Sequence, residues 1–122
     1  MREKFLKSLS PTELKALEYS WQFWARPEQL PPPGDWFIWL VLAGRGFGKT
    51  WTGTKQVLQW HREGHERVNL ASRTIGDIRK TMLYGKSGII TCAPPDIRRK
   101  YIVSLKELHW PDGRRSLCFY AD

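Results

Sequence analysis

The order of apolar and polar positions divides the chain into a few readable stretches. Ser10, Pro11 and Glu13 form a helix start, with the serine as cap, the proline at the first helical position and the glutamate placed to bond back to the cap. Leu14, Leu17, Trp21 and Trp24 follow at helical spacing, which predicts an amphipathic helix with that face turned to a core. The helix should stop near Arg26, because the residue before Pro27 is pushed out of helical geometry. The next stretch, PEQLPPPGD, reads as a stiff extended connector.

Trp36 to Leu42, WFIWLVL, is a nearly uninterrupted apolar run of strand length and predicts a central strand covered on both faces. After Thr50 the period becomes helical, with Trp51, Thr54, Val57, Leu58 and His61 on one side and Gly64 as the end signal. Arg67 to Ser72 predicts a second strand, and Thr74 to Leu83 a second helix in which Gly76 is a weak point. Tyr101 to Trp110 and Arg115 to Tyr120 predict two strands joined as a hairpin through Pro111, Asp112 and Gly113. The alternation gives an α/β fold, with a helix and connector over residues 1–35 and a core over residues 36–122.

Composition sharpens this picture. Lysine and arginine number 20 against 12 acidic residues, for a net charge of +8, which favours polyanion partners, nucleic acid first and an acidic protein or anionic lipid behind it. A merely soluble basic surface is the alternative. Seven tryptophans and 41% hydrophobic residues in 122 argue for a packed body and against disorder. Cys92 and Cys118 have no metal-binding spacing, so they read as small buried apolar residues in a reducing cytosol. The N-terminus carries charges where a signal peptide needs its apolar stretch, and no window approaches the roughly 20 apolar residues of a membrane span. A soluble intracellular protein is the expectation.

The chemistry is concentrated between the apolar run and the helix. Ala43, Gly44, Arg45, Gly46, Phe47, Gly48, Lys49 and Thr50 fit the phosphate-loop pattern GxxxxGK[ST], with alanine in place of the first glycine. Small residues let the backbone curl so that successive N–H groups point at phosphate oxygens, and the following helix adds its positive end. Lys49 would reach the terminal phosphates of ATP, and the Thr50 hydroxyl would be a ligand for Mg2+. A glycine-rich turn that binds nothing would leave the Gly-Lys-Thr run unexplained. Arg45 either leans on the transferred phosphate as an arginine finger in cis or points to solvent. His61 and His65 do not form a zinc motif, since Arg62 stands where a metalloprotease has glutamate. Arg79 with Lys80, and Arg98 and Arg99 with Lys100, could track a DNA backbone or be ordinary surface charge.

The run from Trp21 to Gly53, with GKSGII at residues 85–90 and the later LHWPDGRRSLCFYAD, resembles the large terminase subunit of tailed bacteriophages, the motor that threads DNA into an empty capsid. The resemblance implies a RecA-like (ASCE) phosphate-loop nucleotidase fold, here a partial one, with ATP and Mg2+ as cofactors. It makes Gln29 the residue that reads the adenine edge, with Arg26 and Trp36 as weaker candidates for base or sugar, and a solvent-facing Gln29 as the alternative. Arg45 matches the family's in-loop arginine. It also implies double-stranded DNA, the portal and the small terminase subunit as partners, a homo-oligomeric ring, and the host cytoplasm as the location.

A hydrolysing motor of this class needs an aspartate to organise magnesium and a glutamate to activate water at the end of another core strand. No such pair is visible, although Asp122 follows the apolar stretch LCFYA. The expectation is therefore the N-terminal piece of a longer enzyme, or a truncated product, that binds ATP without turning it over alone, with apolar edges that favour self-association. A nucleotide- or DNA-binding module without hydrolysis and a fragment of a helicase are the alternatives. A small kinase fits less well, because a helix and proline connector precede the loop.

Overall fold

The computed structural model describes residues 2–97 and 100–121, in two compact units that divide between Trp39 and Leu40. The first unit is helical, with α1 (Arg2–Lys7), α2 (Pro11–Glu18) and α3 (Trp21–Trp24), followed by a short 3-10 turn, Pro27–Gln29. Ser10 caps α2 as its sequence demands, its Oγ accepting from the Glu13 backbone N–H at 3.2 Å. The Glu13 carboxylate takes a bond from the Ser10 hydroxyl at 3.0 Å rather than from the cap backbone.

The single helix expected through Arg26 is two. Tyr19 and Ser20 leave helical geometry, with ψ of 5° and 97°, and α3 starts afresh after Ser20. The expected core-facing stripe is not buried either. None of the three helices contributes a buried residue, and Leu14 and Trp24 are 40% and 48% exposed.

The second unit contains α4 (Lys49–Arg62), α5 (Ile75–Asp77), which widens into a π-helical turn over Ile78–Leu83, and α6 (Ile89–Cys92). Its four strands are β1 (Leu70–Ser72), β2 (Lys100–Ile102), β3 (Glu107–His109) and β4 (Arg115–Tyr120), in the order β1-β4-β3-β2. β1 runs parallel to β4, with Leu70 opposite Cys118, while β2, β3 and β4 form an antiparallel meander. The chain is thus mixed α/β, as its pattern predicts.

The hairpin stands where expected, closed by the Trp110 N–H to the Arg114 carbonyl at 2.9 Å and by Gly113 at φ 89°. Its first strand is shorter than expected. The chain turns over residues 103–106, with Lys106 at φ 54°, and divides Tyr101–Trp110 into β2 and β3. Arg67 to Ser72 likewise pairs only over its last three residues.

The largest departure is Trp36 to Leu42. No strand forms there, and Phe37, Leu42 and Ile38 are 97%, 83% and 75% exposed. An apolar run becomes a strand only where a neighbour supplies its ladder, and among the described residues none does.

The core gathers Val57 and Leu58 of α4, Leu70, Ile78, Leu83, Ile89, Ala93, Tyr101, Leu108, Trp110 and Cys118. GKSGII earns its glycines at the approach to α6: a Cβ on Gly88 would run into the Leu83 carbonyl. Cys118 lies in the core and Cys92 is half-buried, both as free thiols whose pKa burial pushes up. No described helix is long and apolar enough to cross a membrane.

Candidate functional site

α4 is the longest helix described, and the glycine loop delivers its first residue, Lys49. The loop turns because Gly46 and Gly48 occupy the left-handed region, at φ 83° and 90°, where a side chain is strained. Gly48 is itself the N-cap of α4. A glycine there supplies no capping oxygen, so the helix start lacks the side-chain acceptor that serine gives α2. Among the described residues, no backbone carbonyl accepts from the N–H groups of Gly46, Gly48 or Lys49. They sit at the positive end of the helix, the geometry that suits an anion.

Lys49 folds back over this loop. Its ammonium donates to the Ala43 carbonyl at 2.5 Å and the Gly44 carbonyl at 3.0 Å, so the cation is poised over the loop. Thr50 and Arg45 are exposed, and Phe47 is half-buried. Thr52, not singled out by the pattern, braces the loop from within, its hydroxyl and N–H both bonding to the Gly48 carbonyl at 2.8 Å.

The structure therefore brings Ala43, Gly44, Arg45, Gly46, Phe47, Gly48, Lys49 and Thr50 into one loop and helix start. Gln29 belongs to the first unit, where it is 7% exposed and its Oε1 accepts from the Arg26 N–H at 3.0 Å, closing the 3-10 turn. Trp36 donates to the Pro32 carbonyl at 3.0 Å. Arg79 and Lys80 are exposed on the π-helical turn. Arg98, Arg99 and Asp122 lie outside the described residues, and with them the second basic group, save Lys100, and the one candidate acid.

Two features escaped the sequence reading. Lys55, the seventh residue of α4, is buried with its ammonium 5.1 Å from the Trp51 ring centre, and burial pulls its pKa down. The other is at the far end of α4, where Gly64 adopts φ 90° and the N–H groups of Gly64 and His65 bond back to the His61 and Trp60 carbonyls, as the expected end signal requires. There His61 meets Asp112 and Arg114 of the hairpin turn. Arg114 holds the Asp112 carboxyl below the ordinary carboxylate range. Only the long-range pairing, invisible in local spacing, unites them.

Loop, lysine, threonine and helix start thus lie together in one mixed α/β unit. A family model, described as terminase large subunit, T4likevirus-type, N-terminal, matches residues 40–122, and the chain belongs to that family. The match begins where the second compact unit begins and takes in the loop, α4 and the whole sheet. No curated protein and no solved structure matches the chain.

Proposed function

We propose that this chain is the nucleotide-binding segment of a phage DNA-packaging motor, with a phosphate-loop nucleotidase fold. The observation that carries the reading is the Lys49 ammonium folded over a glycine loop that leads into the start of α4, where the Gly46, Gly48 and Lys49 N–H groups meet no backbone carbonyl among the described residues. The residues present suit ATP with Mg2+. Gly44, Gly46 and Gly48 leave the loop backbone open to phosphate oxygens, Lys49 is within reach of the terminal phosphates by exchanging its carbonyl partners, and Thr50 offers an exposed hydroxyl to the metal. Bound magnesium would neutralise the outer phosphates. Arg45, exposed in the same loop, adds a second cation beside the transferred group.

Family membership supports DNA packaging over the helicase alternative. On this reading the partners are double-stranded DNA, the portal and the small terminase subunit, in a ring of identical subunits in the host cytoplasm. The sequence has no neighbouring aspartate and glutamate to organise metal and activate water, so the proposal is binding without turnover by these 122 residues alone.

The test is equilibrium titration of the chain with a fluorescent ATP analogue and Mg2+, beside phosphate release. The reading requires saturable binding that falls by at least about tenfold in Lys49→Ala, the loss of a charge-assisted contact, with no sustained release. Equal binding by the variant, or none by either chain, would sink it.

A further inference from the structure

The nucleotide reading leaves one built cluster unused, where the C-terminal end of α4 meets the β3–β4 turn. Arg114 there serves three acceptors: Nε donates to Asp112 Oδ2 at 2.6 Å, one terminal nitrogen to the His65 carbonyl at 2.8 Å, and the other faces His61 Nε2 at 3.2 Å. Asp112 Oδ1 in turn accepts the Arg114 backbone N–H at 3.0 Å. The imidazole of His61 is stacked on Trp110, with 4.0 Å between ring centres and 17° between planes. Trp110 is anchored by its Nε1–H to Ser116 Oγ at 2.9 Å.

Guanidinium has donors only. The His61 nitrogen that faces it is therefore an acceptor, and this arrangement belongs to the neutral imidazole with its proton on Nδ1. Protonation of Nε2 would set two cations against each other. Asp112 Oδ2, 3.5 Å from Nε2, is already engaged by Arg114. The other charged groups around the ring are Arg62, Glu63 and His65 at the helix end and Glu66 and Arg115 in the same cleft.

We infer that Arg114 is a positioning residue: it latches the far end of α4 to the hairpin turn while His61 is neutral, and so sets how firmly the glycine loop at the other end is held. A helix of 14 residues is a stiff rod about 20 Å long. Fixing one end and its roll limits the freedom of the other, where Lys49 and Thr50 stand. The consequence for a bound nucleotide rests on the function proposed above; the latch itself does not.

Hydrogen exchange on the full chain tests this without any ligand. Arg114→Ala removes all three contacts, and His61→Phe keeps a ring against Trp110 but offers no acceptor. At about pH 7.5, α4 amides from Thr52 onward, the first of which bonds to the loop's Gly48 carbonyl, should exchange roughly tenfold faster in both variants, with β3 and β4 unchanged. On acidification, with correction for the intrinsic rate, the wild-type chain should move toward the variants, and His61→Phe should show no such step.

Thr52 and the α4 amides after it as protected in both variants as in the wild type would overturn the latch. So would an equal rise across the whole sheet, or a pH step that persists in His61→Phe. Binding of the ATP analogue, measured alongside, separates the two proposals: loosened α4 amides without nucleotide binding by the wild type would remove the nucleotide reading and leave the latch standing.

Discussion

Two apolar stretches of similar length meet opposite fates in this chain. Arg115 to Tyr120 becomes β4, paired on one side with β1 and on the other with β3, so its backbone groups are used and Ser116 and Cys118 are buried. Trp36 to Leu42 is the more apolar of the two and stays unpaired and exposed. Hydrophobicity nominates a strand, but neighbours make one. β4 has a turn that returns the chain onto β3 and a crossover that brings β1 alongside, whereas the stretch before the glycine loop has neither among the described residues.

The contrast can be broken most severely from the paired side. Leu108 is fully buried in β3 beside β4, and Leu108→Ala should cost about 2–5 kcal/mol in denaturant unfolding. A cost under about 1 kcal/mol would mean that this sheet is not the core. Next comes Trp110→Phe, which strips the bond to Ser116 Oγ and leaves that hydroxyl buried without it, for a loss of about 1–3 kcal/mol by the same measurement.

On the exposed stretch the expectation reverses. Phe37→Ser and Leu42→Ser should change stability by no more than about 0.5 kcal/mol, while lowering concentration-dependent association in sedimentation experiments. A large destabilisation would show that the run is buried after all.

The smallest effect sharpens the hairpin end. Asp112 has its carboxyl pKa lowered, chiefly by the hydrogen bond from Arg114, so its contribution to stability is complete above the ordinary carboxylate pKa and is lost as pH falls through the lowered one. The carboxylate is well exposed, and solvent screening keeps the contribution small. Asp112→Asn should lower stability slightly at neutral pH and meet the wild-type profile as pH falls below about 4, so that the acid side is flatter. An unaltered acid limb would assign it to other carboxylates.

Local chemistry was legible in the sequence wherever a single residue carries its own reason. Ser10 caps, Gly64 ends α4, Thr74 starts α5 by accepting the Asp77 N–H at 3.0 Å, and Pro111 to Gly113 close a hairpin. The turn at Gly46 and Gly48 into α4 was legible for the same reason, since glycine suits its left-handed backbone. What could not be read depends on partners distant in the chain. Helical spacing at Leu14 and Trp24 says nothing of what lies opposite. The break at residues 103–106 interrupts a run that still looks like a strand. His61 and Arg114 are 53 residues apart, and nothing local in either marks the other as its neighbour.

The folded-back ammonium of Lys49 has a consequence for which molecules the loop would admit. It already holds two carbonyl acceptors, so any visitor competes with the protein's own backbone for that cation. A neutral or singly charged visitor offers little in exchange, and the loop stays closed on itself. A polyphosphate can draw the ammonium away and meet the helix end at the same time. If the loop binds as proposed, the lysine would be an internal competitor that filters by charge density, and affinity should climb steeply from inorganic phosphate to triphosphate.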